Sequence, residues 1–207
     1  MNTKNLLFLI RHAETAWTLS GQHTGTTDLP LTRNGKIQSE GLAKVFMPQQ
    51  FDKIFVSPLK RARETCHLAG FGKEAIVDPD LVEWDYGDFE GKTSLEILRT
   101  HPNWNLFHDG APNGESVSQI SHRADHFLKR LESFHGKIAV FSSGHILSVL
   151  IARWLGYPAS HGQQFLLQPA SLMLLGFGHQ QRVLIAPSID LLHNPNSLPV
   201  PLPLPET

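Results

Sequence analysis

Continuous apolar runs alternate along this chain with stretches whose apolar residues recur every three or four positions. Residues 6–10 (LLFLI), 53–57 (KIFVS) and 137–142 (KIAVFS) are apolar runs of strand length, the last two opened by a lysine. Each predicts a strand buried on both faces. Residues 171–177 (SLMLLGF) and 182–186 (RVLIA), separated by GHQQ, predict a hairpin or two adjacent strands. Helical spacings lie between them. Thr32 is placed to cap a helix over 35–46, and Ser57 with Pro58 offers a cap and a first-turn proline for a helix over 59–69. On that second helix Leu59, Ala62, Cys66 and Ala69 share one face. Val117, Ile120, Ala124, Phe127, Leu128, Leu131 and Phe134 mark a long amphipathic helix, and residues 146–155 are apolar nearly all round, as a buried helix is. Strands alternating with helices predict an α/β fold: a mostly parallel sheet covered on both faces, a three-layer α/β/α sandwich.

Length and composition narrow this picture without changing it. At 207 residues the chain suits one domain with a sizeable core, expected over 1–194, followed by a proline-rich tail over 195–207. Leu198, Val200, Leu202 and Leu204 in that tail suit either a homodimer seam or the surface of the same chain. Hydrophobic residues make up 41% and charged residues 18%, an ordinary globular balance. A formal net charge of −1 gives no reason to expect nucleic acid or an anionic membrane as partner. The run at 6–10 is too short for a membrane span or a signal-peptide core and is closed by Arg11, so a cytoplasmic protein is expected. Cys66 stands alone, which excludes an internal disulfide and a thiolate metal cluster. His122 and His126 share a helix face at metal-ligand spacing, but HRADH lacks the glutamate of the zinc-protease pattern. No metal and no cofactor is expected.

Three of the strands end in polar groups: Arg11 and His12 after the first, Ser57 and Arg61 after the second, Ser142, Ser143, Gly144 and His145 after the third. In open parallel sheets, ligands bind in the crevice at the carboxyl ends of strands, where these three loops can converge. Arginine is permanently cationic and presents a planar fork of donors to phosphate oxygens, so Arg11 and Arg61 could clamp one phosphoryl group. Neutral imidazole is a good nucleophile near pH 7, and attack by His12 on phosphorus would divide hydrolysis into two easier steps. A helix beginning near His145 would direct backbone N–H groups at the same anion. The leaving oxygen needs a proton, and Glu83 in the polar, glycine-bearing loop LVEWDYGDFEG is the candidate acid.

Together these segments resemble the histidine phosphatases, the phosphoglycerate mutase-like superfamily. LIRHAET is similar to the family's first-strand signature, with Ala13 in its glycine place. SGQHTGTTDLPLT resembles the substrate loop, which implies substrate contacts at Gln22, Thr24 and Gly25. SPLKRARET resembles the second arginine motif, with Arg61 on phosphate, and LVEWDYGDFEG the acid loop, with Glu83 as proton donor and Tyr86 in the pocket. PNGESVSQI and the segment closing at His193 and Asn194 match as well. GQHTG, EWDYGDFEG and WNLFHDGAPNGES are most like the branch that contains sedoheptulose bisphosphatase, and less like the true phosphoglycerate mutases. The resemblance therefore implies a cofactor-independent phosphatase of a small phosphorylated metabolite, a sugar phosphate for this branch, acting through phosphohistidine. One departure bears on activity. The third segment usually reads Ser-His-Gly-His, whereas here it is SSGH: Ser143 stands where the phosphate-binding histidine would be, His145 remains, and Ser148 replaces an arginine. Losing one charge-assisted hydrogen bond costs roughly 1.5–3 kcal/mol, about ten- to a hundredfold in rate. The alternative reading is accordingly an impaired family member that binds phosphorylated ligands without useful turnover.

Overall fold

Alternate residues of each buried strand enter two different apolar cores, as a sheet covered on both sides requires. The computed structural model describes residues 5–46 and 51–190. Its strands are Leu6–Arg11 (β1), Lys53–Val56 (β2), Ile76–Val77 (β3), Lys137–Ser142 (β4), Ser171–Gly178 (β5) and Gln181–Asp190 (β6). They form one sheet in the order β3-β2-β4-β1-β5-β6. The pairs β1–β4, β2–β4 and β2–β3 are parallel, whereas β5 runs antiparallel to both β1 and β6. Leu7, Leu9, Ile138, Val140 and Phe55 face one core; Phe8, Ile10, Ala139, Phe141, Ile54 and Val56 face the other.

The helices are Ala16–Ser20 (α1), Arg33–Phe46 (α2), Lys60–Leu68 (α3), Ser94–Thr100 (α4), Leu106–Asp109 (α5), Val117–Leu131 (α6) and Gly144–Trp154 (α7). Leu42 and Phe46 of α2 and Ala62 and Cys66 of α3 pack against Phe8 and Ile10. Ile120, Phe127 and Leu131 of α6 and Ile146, Leu147 and Leu150 of α7 pack on the opposite face. The three layers and the mostly parallel sheet are as the apolar pattern predicts.

The differences have local causes. Helix α2 begins at Arg33, two residues before the apolar pattern starts, because Thr32 Oγ1 accepts the Gly35 N–H at 2.9 Å. Ser57 and Pro58 do not start α3. Leu59 holds the cap position without a side-chain bond, and Lys60 N–H donates to Asp28 Oδ1 at 2.6 Å from a distant loop. Helix α6 ends at Leu131, and Phe134 reaches the same core from the following turn. Strand β3 and helices α1, α4 and α5 are too short to show in the pattern. The tail over 195–207, with its candidate seam residues, and His193 and Asn194 lie outside the described residues. Among the described residues no helix is long and apolar enough to cross a membrane.

Candidate active site

Strands β1 and β4 end side by side, with Arg11 paired to Ser142, and this puts the first and third polar segments in contact. The His12 N–H extends the ladder by one bond, to Ser142 O at 2.8 Å. The Ala13 N–H donates to Thr65 Oγ1 at 3.0 Å, and that hydroxyl donates to Arg61 O at 2.8 Å. Helix α3 is thereby laced to the His12 loop. The His12 ring is buried, and its Nδ1 lies 2.8 Å from Ala13 O. A carbonyl can only accept, so Nδ1 carries the proton and Nε2 keeps its lone pair. Burial holds the imidazole well below its ordinary pKa of 6.5, and Arg61 and then Arg11 push it the same way. The neutral, nucleophilic form is the stable one here.

Arg61 is fully buried, yet no carboxylate lies within ion-pair distance of it among the described residues. Its fork is aimed by neutral acceptors: Nη1 donates to Thr27 O at 3.0 Å, and Nη2 to Thr24 O and Gly25 O, each at 2.9 Å. Nε donates to Ser143 Oγ at 3.3 Å. Arg11 Nη1 donates to Leu167 O at 2.6 Å, while its Nε is buried with no partner among the described residues. Burial lowers the pKa of both guanidinium groups, opposed first by Glu83. One buried and one half-buried guanidinium beside a single imidazole, with no carboxylate at ion-pair distance among the described residues, form a site that is electrostatically incomplete without an anion.

The loop after α1 is bound inward along its length. Gln22 Nε2 donates to Gly91 O at 2.6 Å, and Thr24 Oγ1 to Gln22 O at 3.3 Å. The Gly25 and Thr27 N–H groups donate to Glu90 Oε1 at 2.9 and 3.1 Å. A Cβ on Gly25 would stand 2.5 Å from Trp84 O and 2.6 Å from Glu90 Oε2, so only glycine fits. Thr24 and Gly25 thus meet the site through carbonyls that aim Arg61. The side chain of Gln22 is tied to Gly91 O and, through its Oε1, to the Ser20 hydroxyl.

Glu83 is buried at the start of α7, and this corrects the expectation that the helix end is open to an anion. The His145 N–H donates to Glu83 Oε2 at 2.9 Å, the Ile146 N–H to Oε1 at 2.8 Å, and the Trp84 N–H to Oε1 at 2.9 Å. The carboxyl therefore takes two of the first-turn donors itself. His145 is placed beside it, Nδ1 at 3.9 Å from Glu83 Oε2, and hydrogen-bonds the buried Tyr86 hydroxyl. Burial lowers the His145 pKa; burial also raises that of Tyr86 well above 10, so its hydroxyl stays protonated.

The structure gathers Arg11, His12, Arg61, Glu83, Tyr86, Ser143 and His145 at one end of the sheet. It adds His23, which the residue pattern did not single out although it lies within GQHTG. Its ring is 4.7 Å from Tyr86, 5.8 Å from Trp104 and 6.0 Å from His145, centre to centre. Burial brings the His23 pKa down to about 4, with His145 adding to the effect. Trp84 is core packing. His126 is bonded to Asp80 at 2.7 Å, and no group of three metal-ligating side chains occurs among the described residues.

A three-layer fold that brings a buried imidazole and two arginines, with no carboxylate at ion-pair distance among the described residues, to one end of its sheet defines a phosphate-handling enzyme of the phosphoglycerate mutase-like fold. The family model for the histidine phosphatase superfamily (branch 1) matches residues 7–189, and the chain belongs to that superfamily. It is 37% identical over 182 residues to an acid phosphatase of Mycobacterium tuberculosis, covering 86% of this chain and 89% of that protein. It is likewise 37% identical over 180 residues to sedoheptulose 1,7-bisphosphatase of Saccharomyces cerevisiae, covering 72% of this chain and 66% of the yeast protein. A solved structure of a Mycobacterium tuberculosis open reading frame superposes with a TM-score of 0.85 at 35% identity, covering 89% of this chain and 97% of the other. These relatives place the chain with the phosphoric monoester hydrolases of the histidine phosphatase type.

Proposed function

We propose that this protein hydrolyses a small phosphomonoester through a phosphohistidine at His12. The observation that carries the reading is a pair of guanidinium groups, Arg61 buried and Arg11 half-buried, with no carboxylate at ion-pair distance among the described residues, around an imidazole whose Nδ1 proton is fixed by Ala13 O. His12 Nε2 attacks phosphorus as the ester P–O bond breaks. Arg11 and Arg61 hold the charge on the non-bridging oxygens. Glu83 gives its proton to the departing alkoxide, then takes one from the water that cleaves the P–N bond and returns phosphate and free His12. Ser143 lies on the remaining side, its oxygen accepting from Arg61 and its proton free to reach a phosphoryl oxygen. Sugar phosphates are the first class to assay, because one relative at 37% identity is a sedoheptulose 1,7-bisphosphatase. Replacing His12 by Ala should abolish hydrolysis of a generic aryl phosphate and leave the far-ultraviolet dichroism unchanged. Undiminished turnover in that variant would sink the reading.

The serine at 143 supports a second reading, a family member that binds phosphorylated ligands with little turnover. Its hydroxyl supplies only a neutral hydrogen bond where an imidazolium would supply a charged one. Calorimetric binding of vanadate or phosphate by a protein without measurable hydrolysis would favour this second reading.

A further inference from the structure

We propose that the wall beside Glu83 receives a flat, uncharged ring, so that the substrate is a phosphomonoester of a ring-bearing alcohol rather than a bare polyol phosphate or a bisphosphate. The inference rests on the proposed function, because it takes Glu83 as the group next to the departing oxygen. Whatever leaves with that oxygen then lies against the side chains around Glu83. Those side chains are rings: His145 approaches Glu83 to 3.9 Å and packs on Phe107 at 5.4 Å and Tyr86 at 5.8 Å. His23 continues the wall from Tyr86 to Trp104. Tyr86 and Phe107 are buried behind, whereas His23, Trp104 and His145 are half-buried and keep open surface. Their edges and faces suit the offset and edge-on contacts that aromatic partners adopt.

Several polar side chains of this region already hold bonds within the protein. Gln22 is held by Gly91 O, Thr24 by Gln22 O, Tyr86 by His145, and Glu90 by the Gly25 and Thr27 N–H groups. A polyol needs a hydrogen-bond partner for each hydroxyl it buries, and these four side chains already direct a donor or acceptor elsewhere. A second phosphate needs a second cation. Arg11 and Arg61 belong to the first phosphate, and Lys92, whose carbonyl accepts the His23 N–H at 2.9 Å, lays its Nζ over the Phe89 ring at 5.6 Å. Both imidazoles of the wall are neutral at pH 7, His23 with its pKa near 4, so they cannot stand in for that cation.

A nucleoside 5′-phosphonate and ribose 5-phosphonate test this directly, since they share the phosphoryl group and the sugar and differ only in the heterocycle. By calorimetry on the native protein, the nucleoside compound should bind about tenfold more tightly or better, the size of one base–aromatic stacking contact. His23→Ala should remove most of that preference while leaving the ribose compound unaffected, and His23→Phe should keep it. Equal affinity for the two compounds, or an equal loss for both in His23→Ala, overturns the inference. Neither phosphonate is hydrolysed, so the ratio of affinities decides this inference by itself, while aryl phosphate turnover in the native protein and in His12→Ala decides the catalytic reading.

Discussion

Glu83→Gln tests at one position whether a single carboxyl both caps α7 and serves the chemistry. In the native site its two oxygens accept three N–H groups, from Trp84 and Ile146 on one oxygen and His145 on the other. Glutamine is nearly isosteric but has one acceptor oxygen and an amide that only donates. One orientation keeps the Trp84 and Ile146 bonds and sets the amide against the His145 N–H. Losing one bond to a charged acceptor, together with the carboxylate at a helix N-terminus, amounts to about 2–4 kcal/mol. For a domain of this size each kcal/mol moves Tm by about 2–4 °C, so the melting temperature should drop by about 4–16 °C. On the proposed mechanism the same change removes the proton donor. An alkyl phosphate should slow by about 10²–10⁴-fold, and an aryl phosphate with an acidic leaving group by much less. The assays are thermal unfolding by dichroism and kcat on an alkyl–aryl substrate pair. An unchanged Tm would refute the capping role, and equal slowing of both substrates would refute the acid.

Three further outcomes are expected. Ser143→His should raise kcat/KM about ten- to a hundredfold by restoring a charged donor to the phosphate pocket, and no gain would show a pocket rebuilt around serine. His12, His145 and His23 all have folded pKa values below 6.5, that of His23 at about 4, so the unfolded chain binds more protons as pH falls. Stability should therefore be complete above about pH 6.5 and decline from there toward pH 4, read as Tm against pH; a Tm that rises on acidification contradicts the burial of these rings. Gly25→Ala should drive the loop off Trp84 O and Glu90, mis-aim Arg61 and lower kcat/KM about ten- to a hundredfold. Native activity there would mean the two carbonyls do not position the arginine.

The apolar runs were legible because a strand buried on both faces must be apolar at every position, and the 6–10 and 137–142 runs have no other stable place. The polar residues at their ends were legible for the same reason: Arg11 and Ser143 follow runs that cannot stop in a core without a use for them. Other parts had no local signature. The start of α3 is set by Asp28, 32 residues earlier, and nothing near Ser57 and Pro58 shows that. The expectation of an open helix end at His145 failed because Glu83, 62 residues earlier, occupies it. His23 reads as a loop polar residue until Tyr86, Trp104 and His145 are brought around it.

The order of apolar and polar residues alone determined the layers of this protein and the polar segments after its strands, in which Arg11, His12, Arg61 and Ser143 lie. Only the tertiary structure decided the tautomer of His12, the aim of Arg61, the seat of Glu83 and the ring wall beside it. The division is physical. Periodicity and burial act between neighbours in the chain, whereas the direction of a hydrogen bond and the neutral state of a buried imidazole depend on partners that folding alone brings near.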